Sequence, residues 1–432
     1  MQAIQAWFQK STPSGLLLLG LIVGIGGAIG SAIFHWLIYF SSLAFYGYDG
    51  SIGFISLVET IPTWKRLLIP TLGGLLVGII FAIAKVSEAE GEGVPEVMEA
   101  LAHKRGTIRP IVAPIKIITA ALTLGSGGSA GREGPVIQIG SAIGSTVAQA
   151  MELASTERSL LLACGAAAAI GGTFGAPVAG VLFSVEILHH RSKGIVRALT
   201  LVLAAFTGMI GTKFITGHEG LRFSLNPPIE LDLVQISSLV ALGIISAFTA
   251  LLFGLILMHT RTIFKNISLP HILKPAVGGF IVGCIGLYLP YIHEPAAYPL
   301  MVNLINIVTL PLGALLVLLL LKMAATGITL GSGGSGGIFA PLLLMGAIVG
   351  SILASILLYF GLITTTTAPL LIVLGMAGVF AGAAHAPLTA SFITYEMTGD
   401  IRFLIPLLLV CFIATVIAKK ITHKSIYHHE TI

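Results

Sequence analysis

The chain has 432 residues, of which 56% are hydrophobic and only 9% charged, with a mean hydropathy of +1.00. Soluble domains carry roughly 25% charged residues, so this composition excludes a soluble globular protein. The net charge of +5 is a topology signal, and no basic stretch is interleaved with aromatics in a way that points to a nucleic-acid partner.

Apolar runs of about 20 residues span a bilayer core of roughly 30 Å. In chain order the clearest are Gly15–Phe40, Leu67–Ala84, Val196–Ile215, Ile236–Met258, Leu310–Met323, Ile338–Ile363 and Phe403–Ala418. The first is too long for a signal-peptide core and lacks a small-residue cleavage pattern, so it is expected to be a retained helix. Other stretches are interrupted by glycine and proline, which predicts tilted or half-length helices. Charges gather between the runs, at Trp64-Lys65-Arg66, at His103-Lys104-Arg105 with Arg109, from Arg191 to Arg197, from Arg261 to Lys265, and at Lys419-Lys420. The last cluster ends the last long apolar run and predicts a cytoplasmic C-terminus under the positive-inside rule. Cys164, Cys284 and Cys411 stand singly in apolar runs and read as buried thiols, with neither a disulfide framework nor a metal site expected.

Two stretches are almost the same: Leu124-Gly-Ser-Gly-Gly-Ser-Ala-Gly-Arg-Glu-Gly-Pro135 and Leu330-Gly-Ser-Gly-Gly-Ser-Gly-Gly-Ile-Phe-Ala-Pro341, 206 positions apart (330 minus 124). Gly140 and Gly346, then Gly144-Ser145 and Gly350-Ser351, keep that offset. Ala176-Pro177 with Glu186 and Ala386-Pro387 with Glu396 form a second pair at an offset of 210 (387 minus 177). Such self-similarity predicts two membrane repeats, taken as residues 1–225 and 226–432, with no appended soluble domain.

Each glycine-rich stretch leads into an apolar helix, with Pro135 in one and Pro341 in the other near the first turn, where a missing amide hydrogen costs nothing. Helix starts carry unpaired N–H groups and the positive end of the helix dipole. Two starts aimed at one point bind an anion without a full positive charge. Such binding is weak enough to permit release, which transport requires, and interrupted helices in corresponding halves mark a site near the bilayer midplane. The serines at 126, 129, 332 and 335 are expected to satisfy nearby backbone more than to hold an ion.

Three motifs follow in order: Gly91-Glu92-Gly93-Val94-Pro95-Glu96, then Gly131-Arg132-Glu133-Gly134-Pro135, then Gly337-Ile338-Phe339-Ala340-Pro341. Together they resemble the CLC family of chloride channels and proton/chloride antiporters over nearly the whole chain. Lys116, 17 residues before Glu133, and Lys424-Ser425-Ile426-Tyr427 fit the same pattern. The resemblance implies an all-α multi-pass membrane protein of two inverted repeats of tilted and broken helices, assembled as a homodimer with one ion pathway per subunit in the cell (inner) membrane. It implies chloride and protons as the transported species, the lipid bilayer as surroundings, no cofactor and no enzymatic activity. The backbone at Ile338 and Phe339 and the hydroxyl of Tyr427 would then hold the central ion, with Gly134 and Gly337 lining the site. Glu133 would be the gating glutamate, whose carboxylate competes with chloride and leaves when protonated.

Two positions depart from the family pattern. Glu92 stands where a serine usually helps hold the ion; at ~4 Å and an effective dielectric of ~20, two like charges cost about 4 kcal/mol. Glu92 is therefore expected to turn away, to be protonated, or to serve as an inner proton acceptor. Ile187 stands where antiporters of the family usually carry the internal proton glutamate, directly after Glu186. Proton-coupled antiport is the leading reading, a passive chloride channel the alternative, and a membrane-embedded enzyme a remote one, since no HExxH, paired-aspartate or serine–histidine pattern is present. The pairs His189-His190 and His428-His429 read as solvated interface residues.

Overall fold

A backbone that crosses lipid must satisfy its own hydrogen bonds, and helices do so within one segment. The structure, a computed structural model, describes residues 12–428 apart from residues 52, 191–193, 218–219, 221, 224, 226, 230–231, 295–297 and 307–309. His429 lies outside them. Among the described residues every regular element is helical.

The first half contains α1 (Pro13–Tyr46), α2 (Phe54–Thr60), α3 (Thr63–Ala84), α4 (Val94–Ala102), α5 (Val112–Gly125), α6 (Glu133–Ala150), α7 (Ser155–Phe174), α8 (Pro177–Glu186) and α9 (Ile195–Thr216). The second contains α10 (Leu233–Asn266), α11 (Lys274–Tyr288), α12 (Tyr298–Asn306), α13 (Leu312–Gly331), α14 (Phe339–Tyr359), α15 (Ala368–Ala384), α16 (Pro387–Thr398) and α17 (Leu404–Ile421). With α2 set aside, the two series match one to one. α1 and α10 have 34 residues each, and the short α4 and α12 have 9 each.

Among the described residues, 8 helices are long and apolar enough to cross a membrane, and the seven apolar runs of the sequence all fall on them. The eighth, His271–Tyr288, is not among those runs because Lys274, Pro275 and four glycines dilute its hydropathy. On α1 the side chains of Leu18, Ile22, Ile25, Ile29 and Ile33 recur every three or four residues and are exposed, an apolar stripe suited to acyl chains. α14 and α15, by contrast, are buried along most of their length.

Helices in lipid associate closely where small residues let backbones touch. A side chain on Gly140 would meet the carbonyl oxygen of Gly165 at 2.3 Å, and one on Gly346 would meet that of Gly375 at 2.2 Å. The α6–α7 and α14–α15 crossings are thus built alike, from glycines in register with the sequence duplication. They fix the two helix starts on which the site depends.

Candidate functional site

The three motif loops meet. The N–H of Gly131 donates to the carbonyl of Gly337 at 2.6 Å, and the N–H of Gly337 returns a bond to Gly131 at 2.7 Å. The N–H of Gly336 donates to the carbonyl of Gly91 at 3.2 Å. At this closeness side chains are excluded: a Cβ on Gly134 would lie 2.1 Å from the carbonyl oxygen of Glu92. Gly93 has φ +94° and its Cβ would lie 2.6 Å from the carbonyl of Gly134; only glycine adopts that backbone without strain.

The serines brace this junction. Ser129 donates its N–H to Thr329 Oγ1 at 3.1 Å, and Ser335 donates its N–H to Thr123 Oγ1 at 3.2 Å. These two bonds are equivalent under the 206-residue offset (329 minus 123, 335 minus 129). Ser126 and Ser332 each donate a hydroxyl to a carbonyl three residues earlier.

Glu133 opens α6 and is buried. Its Oε2 accepts the N–H of Ala340, in the first turn of α14, at 3.2 Å. Its Oε1 accepts the hydroxyl of Tyr298, and the Nε of Arg132 lies 3.9 Å from the same oxygen. The amides of Ile338 and Phe339 belong to the same helix start, where N–H groups have no intrahelical acceptor. The ring of Phe339 is wedged between Phe174 and Phe380, with centroids at 4.9 and 4.3 Å. The Glu133 carboxylate, on the Ala340 amide, occupies the kind of place a small anion would take at a helix start.

Tyr427 lies buried in the 3₁₀ turn Ile426–His428, within electrostatic reach of both Glu92 and Glu133. Beside it is a cavity of about 270 Å³ bordered by Pro95, Met98, His189 and His428. The His189 and His428 rings meet edge-on with centroids 5.8 Å apart.

Glu92 is buried, and its Oε1 lies 2.5 Å from Nη2 of Arg261 on α10. The guanidinium offsets the repulsion that a bare carboxylate would exert on an anion. Buried Lys116 donates to the carbonyls of Gly91 at 2.7 Å and Ala89 at 3.2 Å, tying down the loop that carries Glu92. Arg261, Gly91, Pro95, Lys265 and Lys274 border an open cavity of about 670 Å³. At its rim the Arg109 guanidinium holds the Glu88 carboxyl below the usual carboxylate range, whereas burial pushes Glu90 up.

Ile187 is buried directly after α8 and borders a separate cavity of about 520 Å³ with Glu186, His189, His385 and Lys424. Glu186 is engaged at the start of α16 and Glu396 at the start of α8, the helix-end roles that their equivalence in the duplication suggested.

Sequence reasoning missed Tyr298 and Arg261, which reach the motifs from distant segments. It also missed Lys322, buried on α13, which stands 206 residues after Lys116 (322 minus 116). The repeat offset was the signal that could have found it.

A multi-pass helical fold whose interrupted helices meet at a buried glutamate is that of a membrane ion-transport protein. Residues 73–419 match the voltage-gated chloride channel family, and the chain belongs to it. It is 30% identical to the H(+)/Cl(-) exchange transporter ClcA of Klebsiella pneumoniae (strain 342), covering 98% of this chain and 90% of that protein. It is also 30% identical to the voltage-gated ClC-type chloride channel ClcB of Salmonella typhi, covering 96% of this chain and 98% of the other. Among solved structures, a slow cyanobacterial Cl⁻/H⁺ antiporter superposes with a TM-score of 0.82 at 25% identity, covering 96% of both chains.

Proposed function

We propose that this protein exchanges chloride for protons across the membrane, with Glu133 as the gate. The observation that carries the reading is the Glu133 carboxylate seated on the first turn of α14, where it accepts the N–H of Ala340. An ionised carboxylate there competes with chloride for the same amides. Protonation removes its charge and its claim on the helix dipole, so one side chain both blocks the anion route and carries a proton. In this scheme Ile338, Phe339 and Tyr427 hold the central ion, Gly134 and Gly337 line it, and no cofactor takes part. The similarity to proteins described as a Cl⁻/H⁺ antiporter and an H(+)/Cl(-) exchange transporter supports exchange.

Glu92 is proposed as the inner proton acceptor, since it is a buried carboxylate beside the open cavity bordered by Arg261. Glu92→Gln is expected to slow proton movement more than chloride movement; unchanged coupled proton flux would remove Glu92 from the scheme. The further proposals are a homodimer with one pathway per subunit, placement in the inner membrane with the C-terminus in the cytoplasm, and repeats dividing near residue 225. The basic pair Lys419-Lys420 closing α17 supports that orientation.

The decisive experiment measures chloride and proton flux together in proteoliposomes, for the wild type and for Glu133→Ala. Proton movement is expected to vanish while chloride still flows; if both rates were untouched, the gate assignment would be wrong. A passive chloride channel is the second reading. It is favoured by Ile187, an apolar side chain that cannot carry a proton, and by the likeness to a protein named as a channel. The reversal potential under opposed chloride and pH gradients separates the two, because a channel follows chloride alone.

A further inference from the structure

α12 is the counterpart of α4 in the other repeat, and the two helices start 204 residues apart (298 minus 94). Where α4 begins with Val94, α12 begins with Tyr298, so the phenol breaks the internal symmetry at one end of the pathway only. Tyr298 is buried, and its hydroxyl donates to Glu133 Oε1. The other carboxylate oxygen accepts the N–H of Ala340. Glu133 is therefore gripped from two elements, α12 and α14. The face of the Tyr298 ring packs against the Arg132 guanidinium, 5.0 Å from the ring centroid, and Arg132 Nη1 lies 3.3 Å from Nδ1 of His35 on α1. Glu294, four residues before the start of α12, is buried as well.

We propose that Tyr298 is the latch that holds the Glu133 carboxylate on the anion site. It is a positioning residue that acts through Glu133, and the inference rests on reading Glu133 as the gate. The titratable and charged groups facing that carboxylate are Arg132 beside it, Tyr298 from α12 and, farther off, Tyr427 from the C-terminal turn; α14 presents a backbone amide. A phenol O–H donated to a carboxylate favours the ionised over the protonated form. Tyr298 thus makes the gate harder to protonate and keeps the path closed to a lower pH than the helix start alone would.

The test is chloride efflux from proteoliposomes held at equal pH on both sides, across a pH series, for the wild type, Tyr298→Phe, Glu133→Gln and the double variant. Tyr298→Phe removes one oxygen and leaves the ring on Arg132. The pH of half-maximal efflux is expected to move up by about one unit, the scale of one hydrogen bond to a charged group. In the Glu133→Gln background the tyrosine substitution is expected to change nothing. An unmoved midpoint in Tyr298→Phe, with Glu133→Gln still abolishing the pH dependence, overturns the latch and leaves the gate standing. If Glu133→Gln keeps the wild-type pH profile, the gate reading fails and takes the latch with it. Should Tyr298→Phe not yield folded protein, 3-fluorotyrosine at position 298 keeps the shape and strengthens the donor. A midpoint shifted down then supports the latch, and an unshifted one overturns it.

Discussion

Glu186 and Glu396 hold each other's helices. Glu186, ending α8, accepts the N–H groups of Leu388 at 3.1 Å and Thr389 at 2.7 Å, and the Thr389 hydroxyl at 2.7 Å. Glu396, near the end of α16, accepts the N–H groups of Val178 at 3.1 Å and Ala179 at 2.8 Å at the start of α8. Each carboxylate thus satisfies orphan donors on the helix of the opposite repeat, where a negative charge is favoured by the dipole.

This exchange predicts a structural phenotype. Glu186→Ala and Glu396→Ala are each expected to cost about 1–2 kcal/mol, the usual range for losing a helix cap. Thermal unfolding in detergent should show a lowered midpoint for both, with chloride turnover per folded protein nearly unchanged. A variant that melted like wild type yet lost proton flux would give Glu186 a place in proton transfer instead.

The duplication made most of this architecture readable in advance. Glycine-rich stretches before Pro135 and Pro341 announced two helix starts, and the matched Ala-Pro and glutamate positions announced two more. What the sequence concealed were partners recruited across the fold. Arg261 reaches Glu92 from 169 positions away, and a single arginine near the end of a long apolar helix carries no pattern that points to its mate. Tyr298 was hidden for the opposite reason: its helix is the counterpart of the first motif, but that half has lost the motif's glycines and acids. The span His271–Tyr288 escaped because the glycines that let α11 pack against α3 also lower its hydropathy; a side chain on Gly279 would meet the Pro70 carbonyl at 2.1 Å.

Glycine at position 134 is a steric requirement of the junction, and a matched pair of substitutions tests it. An alanine methyl there would lie 2.1 Å from the Glu92 carbonyl and 2.9 Å from Gly337 Cα, both backbone atoms that cannot swing aside. Gly134→Ala is expected to cost about 1–3 kcal/mol as overpacking and to reduce chloride turnover sharply, because it forces the two helix starts apart. Gly254, in the interior of α10, has open space around its built Cβ. Gly254→Ala is expected to leave transport intact and to add about 0.5–1 kcal/mol of stability. Equal behaviour of the two variants would show that the junction tolerates separation.

The Glu92–Arg261 pair lets an acid stand where the family usually has a serine. With 2.5 Å between Oε1 and Nη2, the guanidinium opposes the charge that Glu92 would project toward the proposed anion site. Arg261→Gln removes that charge and leaves the carboxylate to repel chloride, at a cost of up to about 4 kcal/mol for like charges ~4 Å apart at an effective dielectric of ~20. Breaking a buried pair from one side is also destabilising by about 3–5 kcal/mol. Arg261→Gln should therefore weaken chloride binding, measured by calorimetry in detergent, and lower the unfolding midpoint. Adding Glu92→Gln in the same chain removes the repelling charge, and both losses should largely be recovered. The double variant separates this account from a purely positional role for Arg261. If the guanidinium only packed α10 against the first motif loop, neutralising Glu92 would recover neither chloride binding nor stability.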